Sequence, residues 1–187
     1  MNSPEALPSA ARLCTQCGLC CNGVMFHTVK LQPRDSAKAL AALGLKLKRK
    51  HGHHFILQPC PALKNSQCSL YADRPERCRV FECRQLKLLA AGEITEAMAA
   101  AKIQEALRRV AHLNELLERA GNTNHKRPLA QRCESALAEP LDPISDQAAW
   151  ALRSQVQQAS QELEALLDQD FRIESKPAKG PAAHNEP

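Results

Sequence analysis

Four cysteines fall within eight residues, Cys14-Thr-Gln-Cys17-Gly-Leu-Cys20-Cys21, and four more follow at Cys60, Cys68, Cys78 and Cys83. Thiolates are soft donors that select zinc, Cu(I) or iron–sulfur clusters over calcium and magnesium. Eight of them complete two four-ligand sites. The C-x2-C-x2-C spacing lets a tight turn bring three sulfurs onto one centre, with Gly18 supplying the freedom in φ that such a turn needs. Adjacent side chains such as Cys20 and Cys21 point apart, so they serve different centres or one of them stands behind the ligands. Four thiolates leave zinc no open position, which makes an all-cysteine zinc site structural. An iron–sulfur cluster could instead carry an electron, or bind a substrate if one iron lacked a cysteine.

The first three of these cysteines also match the opening of the ferredoxin-type run C-x2-C-x2-C-x3-C, although here the fourth follows at once. The opening residues, Met1 to Arg12, carry no basic segment followed by an apolar one, and no stretch approaches the ~18 apolar residues of a membrane span. The expectation is a soluble, cytoplasmic chain with no membrane partner, in which clustered thiols are ligands or redox groups rather than disulfides.

The net charge of +5 is unevenly spread: residues 1–92 carry 14 lysines and arginines against 5 acidic residues, and residues 93–187 carry 11 against 15. Eight thiolates and two divalent ions would together remove about four charges from the basic half, so part of its excess compensates thiolates. The aromatics are Phe26, Phe55, Tyr71, Phe81, Trp150 and Phe171. Stacking groups for bases are therefore few, and nucleic acid is set aside as a partner. The same shortage of large side chains leaves residues 1–92 dependent on metal, a structural zinc contributing roughly 10–16 kcal/mol.

The elements that must position the thiols read as follows. Residues 1–12 form a loose lead-in. Val24 to Leu31 reads as a short strand. Pro33 opens a helix through Leu43, with Ala37, Leu40, Ala41 and Leu43 on its apolar face and Gly44 as its stop. The run from Lys46 to Lys50 reads as a solvated loop. It leads to His51, His53 and His54, which are not needed as ligands once eight cysteines fill two sites. Phe55 to Gln58 is a second strand delivering Cys60. From Cys60 to Cys83 the chain is mostly turn, a geometry in which backbone amides can donate to sulfur. Arg74 and Arg79 are candidates for balancing thiolate charge or for surface ion pairs. Tyr71 offers either a hydroxyl behind the ligands or a packing ring.

Beyond Cys83 the pattern becomes helical. Leu86, Leu88 and Leu89 continue a short helix to Gly92. A long helix runs from Thr95 to Ala120 on Met98, Ala101, Ala106, Val110, Leu113 and Leu117, stopped by Gly121-Asn122. Residues 122–141 read as a polar, mobile connection, with Cys133 an ordinary free thiol. A second long helix spans 142–170, capped by Asp142 with Pro143 in its first turn, and presents a seam of Trp150, Leu152, Val156, Ala159, Leu163 and Leu166. The two pair most simply as an antiparallel hairpin, burying their seams on each other or on the cysteine module. A protein partner or self-association is the competing use of those seams. Residues 172–187 read as a disordered tail.

The arrangement Cys-x2-Cys-x2-Cys-Cys followed by Cys60-Pro-x-Leu, Cys68-Ser-x-Tyr71-x2-Arg74-Pro75-x2-Cys78-Arg79-x-Phe81-x-Cys83 resembles the YkgJ-type cysteine-cluster (CxxCxxCC) family of zinc- or iron-chelating proteins. The resemblance covers residues 14–83 and all eight cysteines in order and spacing. It implies metal chelation through Cys14, Cys17, Cys20, Cys21, Cys60, Cys68, Cys78 and Cys83, with zinc or iron as the metal. Flagellin lysine N-methylase is similar in carrying this kind of cluster, which links some of the family to methyl transfer. This chain shows no Gly-rich strand-to-helix turn to cradle S-adenosylmethionine, nor the C-x3-C-x2-C order of a radical-SAM cluster.

The fold expected is mainly α with a small irregular α+β cysteine-rich module: a lead-in (1–12), a metal-stabilised module (13–92), a long antiparallel helical hairpin (93–171) and a tail (172–187). The function expected is zinc or iron–sulfur binding in a structural or metal- and electron-handling role. The alternatives are an iron–sulfur-dependent redox or methyl-transfer enzyme, and a zinc-stabilised interaction or nucleic-acid module.

Overall fold

A computed structural model describes residues 9–138, 140 and 146–173. The first eight residues, the expected cap at Asp142 with Pro143, and the tail from residue 174 lie outside the described residues. The chain is mostly helical, with small antiparallel sheets in its N-terminal region and two long packed helices.

The helical part is built on α5 (Glu96–Arg119) and α7 (Gln147–Asp170). The Thr95 hydroxyl accepts from the Met98 amide at 3.2 Å and starts α5; Asp146 does the same for α7 through Ala149, also at 3.2 Å. Each satisfies one of the amides a helix start leaves unpaired. The two run antiparallel, since Lys102 pairs with Asp170 at 2.9 Å and Arg109 with Glu162 at 3.4 Å.

Their seams differ in detail from the periodic reading. In α5, Ala99, Ile103, Ala106, Val110, Leu113, Leu116 and Leu117 are buried, whereas Met98 is 54% exposed and Ala101 also faces out. In α7, Val156, Leu163 and Leu167 are buried, Leu152, Ala159 and Leu166 are partly so, and Trp150 is 51% exposed. The seams keep Ala106, Val110, Leu113 and Leu117 in α5 and Val156 and Leu163 in α7 as expected, and Ala99, Ile103, Leu116 and Leu167 join them because further elements pack on these helices and widen the buried arc.

One of these is α6 (Leu129–Ala138), where a mobile connection was expected. It packs on both long helices and buries Leu129, Cys133 and Arg132. A buried guanidinium must have its N–H groups satisfied. Arg132 donates to Asn122 Oδ1 (3.2 Å), to the Asn122 carbonyl (2.8 Å) and to Asn114 Oδ1, and lies 3.3 Å from His125 Nδ1. The polar residues that made this stretch read as a loop are the partners of that arginine.

The other is α1 (Ser9–Cys17), which takes up the end of the expected lead-in, buries Leu13 and packs on α5. Arg12 pairs with Glu96 at 2.7 Å, both groups being about two-fifths exposed, so the pair is screened and contributes little.

A three-stranded antiparallel sheet comprises β1 (Thr28–Lys30), β2 (Leu47–Lys50) and β3 (His53–Leu57), in the order β1-β3-β2. The strand expected from Val24 is only three residues long, since Val24 and Met25 are drawn into the helical core. The basic run is a strand, not a loop. His51 (φ 48°) and Gly52 (φ 75°) form a two-residue turn between β2 and β3 with both φ positive, the hairpin geometry that matches strand twist. The helix expected from Pro33 begins later: α2 (Ala37–Ala42) starts at Ser36, whose hydroxyl accepts from Ala39 N at 3.2 Å.

Two hydrophobic clusters result. The larger joins Leu13, Leu19, Val24 and Leu86 to the buried residues of α5, α6 and α7 and to Phe171; the smaller joins Leu31, Leu40, Leu45, Ile56 and Ala62 beneath the sheet. Leu117→Ala is expected to cost ~2–5 kcal/mol in chemical denaturation of the metal-loaded protein, and Met98→Ala about 0.5 kcal/mol or less. The reverse order would return the seam of α5 to the Met98 side.

Candidate metal-binding site

Cys14 and Cys17 are three apart on α1 and therefore share a face. The helix stops at Gly18, whose φ of 66° turns the chain back. The amides of Cys21 and Asn22 both reach the Gly18 carbonyl, at 2.8 and 2.9 Å, and this turn inserts Leu19 into the helical core. Cys20 and Cys21 leave the turn in different directions. Gly23 follows at φ 84°, where a Cβ would stand 3.2 Å from Pro128 Cα and 3.3 Å from the Pro59 ring. Only glycine lets these three segments meet.

The downstream cysteines arrive on separate elements. The Cys60 amide donates to the Cys21 carbonyl at 2.7 Å, fastening the end of β3 beside the first block. β4 (Leu63–Lys64) and β5 (Gln67–Cys68) form a second hairpin, with Asn65 and Ser66 at positive φ in its turn, and return Cys68 beside Leu63. Cys78 lies in α3 (Glu76–Val80), which is held by Asp35: one carboxylate oxygen accepts from Glu76 N at 2.9 Å, the other from Gln32 N at 2.8 Å. Cys83 starts α4 (Arg84–Ala90), and the preceding Phe81 meets Phe26 edge-on at 5.0 Å.

Electrostatics among the sulfurs divide the eight into two groups of four. Burial is the main cause that raises each thiol described next, and the neighbouring thiols add to it. Cys17 is pushed up to about 12, with Cys83 and Cys14 contributing. Cys20 is raised well above the ordinary thiol value, first among its neighbours by Cys17 and Cys83. Cys14 is raised with Cys83 as its leading neighbour; its residue surface is exposed, yet surrounding atoms still desolvate the sulfur. On the other side, Cys21 is pushed up to about 12 with Cys60, Cys78 and Cys68 as its leading neighbours. Cys78 is pushed up to about 11 with Cys60 and Cys68, and Cys60 is raised with Cys68.

Cys14, Cys17, Cys20 and Cys83 thus form one group, and Cys21, Cys60, Cys68 and Cys78 the other. Two influences cross the divide, Cys21 on its chain neighbour Cys20 and Cys14 on Cys21, so the groups are adjacent. Cys17, Cys20 and Cys83 pack against the helical core, and Cys60 and Cys68 against the sheet cluster.

Backbone amides oppose burial at three sulfurs. They come from Leu19 at Cys17, from Ala62 and Leu63 at Cys60, and from Gln85, Leu86 and its own N–H at Cys83, there without a full capping bond. Such donors suit a thiolate that ligates a metal. Arg74 lowers one thiol of each group, Cys14 and Cys78, so it stands between them. Its guanidinium lies 3.6 Å over the Tyr71 ring and its Nε donates to the Tyr71 carbonyl at 3.0 Å. Tyr71 takes part through its ring, and Arg79 is exposed. His51 and His53 are exposed and His54 half-buried, all in the β2–β3 hairpin.

All nine cysteines are free thiols, and among the described residues no three histidine, cysteine or acidic side chains stand in a ligating arrangement. The sulfurs of each group are neighbours, and closing on an ion requires their side chains to rotate. The donor set fits a soft cation: four thiols per group, amides aimed at sulfur, and a single arginine shared between the groups.

Asp35 as the latch of α3 had no signal in the sequence. Nor did it reveal Arg84 and Gln85, which donate to the α7 carbonyls of Gln169 and Asp170 at 2.7 Å each. These are contacts between segments far apart in the chain.

Residues 13–103 match the model of the CxxCxxCC family, described as a "putative zinc- or iron-chelating domain". The match runs past the last clustered cysteine into α5. No curated protein and no solved structure matches the chain.

Thiols whose pKa lies above the ordinary value keep their protons at neutral pH, and a metal must displace them. Loading is therefore expected to release about four protons from the first group and about three or more from the second, and affinity should climb steeply as pH rises from 6 to 8. Titration calorimetry in buffers of different ionisation enthalpy measures this. Release of about two protons or fewer per ion would mean that the thiols are not the ligands.

Proposed function

We propose that the chain is a chelator holding two soft-metal centres, zinc ions or iron–sulfur clusters, each on four cysteine thiolates. Cys14, Cys17, Cys20 and Cys83 hold the first, against the helical core; Cys21, Cys60, Cys68 and Cys78 hold the second, beneath the sheet. The observation that supports this reading is the division of the eight thiols into two groups of four, with the adjacent Cys20 and Cys21 in different groups. Residues 13–92 are the chelating module and the helical hairpin of 93–171 is its support.

Chemistry favours retention over catalysis at such centres. Four thiolates leave zinc no position for water or substrate. A four-cysteine iron–sulfur cluster is likewise closed to substrate and is suited to passing an electron. In either case the metal ties together segments that few other large side chains connect, and its binding free energy is folding free energy. Cys133 has no part in this: it is buried against α7, and Ser160 lowers its pKa while burial raises it.

Serine substitutions test the division. Protein purified anaerobically should carry about two zinc per chain, or iron and sulfide with brown absorbance. Cys20→Ser or Cys83→Ser should remove one centre, as should Cys60→Ser or Cys78→Ser. The double variant Cys20→Ser/Cys83→Ser should lose no more than either single, whereas Cys20→Ser/Cys78→Ser should lose both centres. Cys133→Ser should retain full content. Equal losses from the two double variants would overturn the division into groups.

A further inference from the structure

We propose that the outer face of the β1-β3-β2 sheet binds single-stranded nucleic acid, with a base stacked on Phe55 and phosphates held by Lys30, Lys48 and Lys50. Ile56 is 2% exposed and lies opposite Val29 on one side and Leu47 on the other, all three packing into the sheet cluster. Side chains alternate along a strand, so the next row, Lys30–Phe55–Lys48, faces the opposite way. Lys50 and His53 pair at one end of that face and Thr28 and Leu57 at the other.

Lys30, Lys48, Lys50, His53 and Thr28 are exposed, while Phe55 and Leu57 are half-buried and belong to neither hydrophobic cluster. A phenylalanine at the centre of a sheet's outer face, with a lysine on each neighbouring strand, presents one π surface between two cations. Two strand spacings put those lysines about 10 Å apart.

Charge selects a polyanion. Residues 22–72 contain eight lysines and arginines and one acidic residue, Asp35, whose carboxylate is engaged by the backbone amides of Gln32 and Glu76. The ring selects among polyanions: a flat aromatic group on a basic surface favours bases free to unstack, because a duplex keeps its base faces covered. From the sequence, nucleic acid was the less expected partner, because thiolates account for part of the basic excess and aromatics are few, and the basic run was expected to be a loop. In the structure that run is a strand, and it places its central lysine beside one of those aromatics.

Fluorescence anisotropy of the metal-loaded full chain with labelled oligouridine, oligothymidine and a duplex of the same length tests this, with each variant's metal content checked against wild type. Binding to the single strands at low salt is expected, weaker for the duplex. Phe55→Leu should weaken it roughly 5- to 150-fold and Phe55→Tyr should retain it. Lys30→Gln/Lys48→Gln should lower the slope of log affinity against log salt by about 1.4, two contacts at about 0.7 each. If Phe55→Leu disturbs folding, the lysine double variant and Phe55→Tyr decide. No binding by the metal-loaded wild type would overturn the proposal. So would affinity unchanged by these variants, or equal affinity for duplex and heparin, which marks a surface for any polyanion.

Discussion

A partly buried thiol crowded by other thiols resists ionisation unless a cation stands among them. Burial is the leading cause of every raised thiol pKa in this chain, and each neighbouring thiol makes ionisation harder. One arginine shared between the groups, and amides aimed at three of the sulfurs, offset only part of that cost. Metal chelation resolves the conflict, because a divalent ion or a cluster core brings its positive charge into the same low-dielectric site. The surrounding architecture can be understood as what is needed to keep eight such sulfurs together.

Two cores meet at one peptide unit. Leu19, next to Cys20, is buried among the helices, while the carbonyl of Cys21 receives the Cys60 amide at the end of the sheet. Cys20 packs against the helical cluster, and the Cys21 carbonyl holds Cys60, which packs against the sheet cluster. The link extends to the helical hairpin through Cys83, since the next two residues, Arg84 and Gln85, close the C-terminal end of α7. Carbonyls left unpaired at a helix end are satisfied by donors placed beside a metal-site residue. The same end of α7 is tied by Phe171, whose carbonyl accepts from the Arg84 amide at 2.9 Å, so the segment that carries Cys83 and the end of α7 are held together.

Local signals in the sequence were reliable where the chain obeys them locally. Thr95 and Gly121 bracket α5 as their residue types require, Gly44 follows the end of α2, and Gly18 turns at positive φ. Long-range contacts were not legible. The Lys46–Lys50 run looks solvated by composition, but Leu47 is inward and register with β3 makes it a strand. Asn122 and His125 look like connection residues until Arg132 is seen buried beside them. For the candidate site, the eight clustered cysteines and their spacing could be read directly from the chain. The grouping could not, because it depends on where β3, β5, α3 and α4 return.

The central claim is that every metal ion in the protein is held by sulfur from one group of four cysteines. X-ray absorption at the metal edge of the loaded chain tests it most directly. Four sulfur neighbours per metal near ~2.3 Å, with no nitrogen or oxygen neighbour, is the expected result. A first shell containing nitrogen or oxygen, or fewer than four sulfurs per metal, would contradict it.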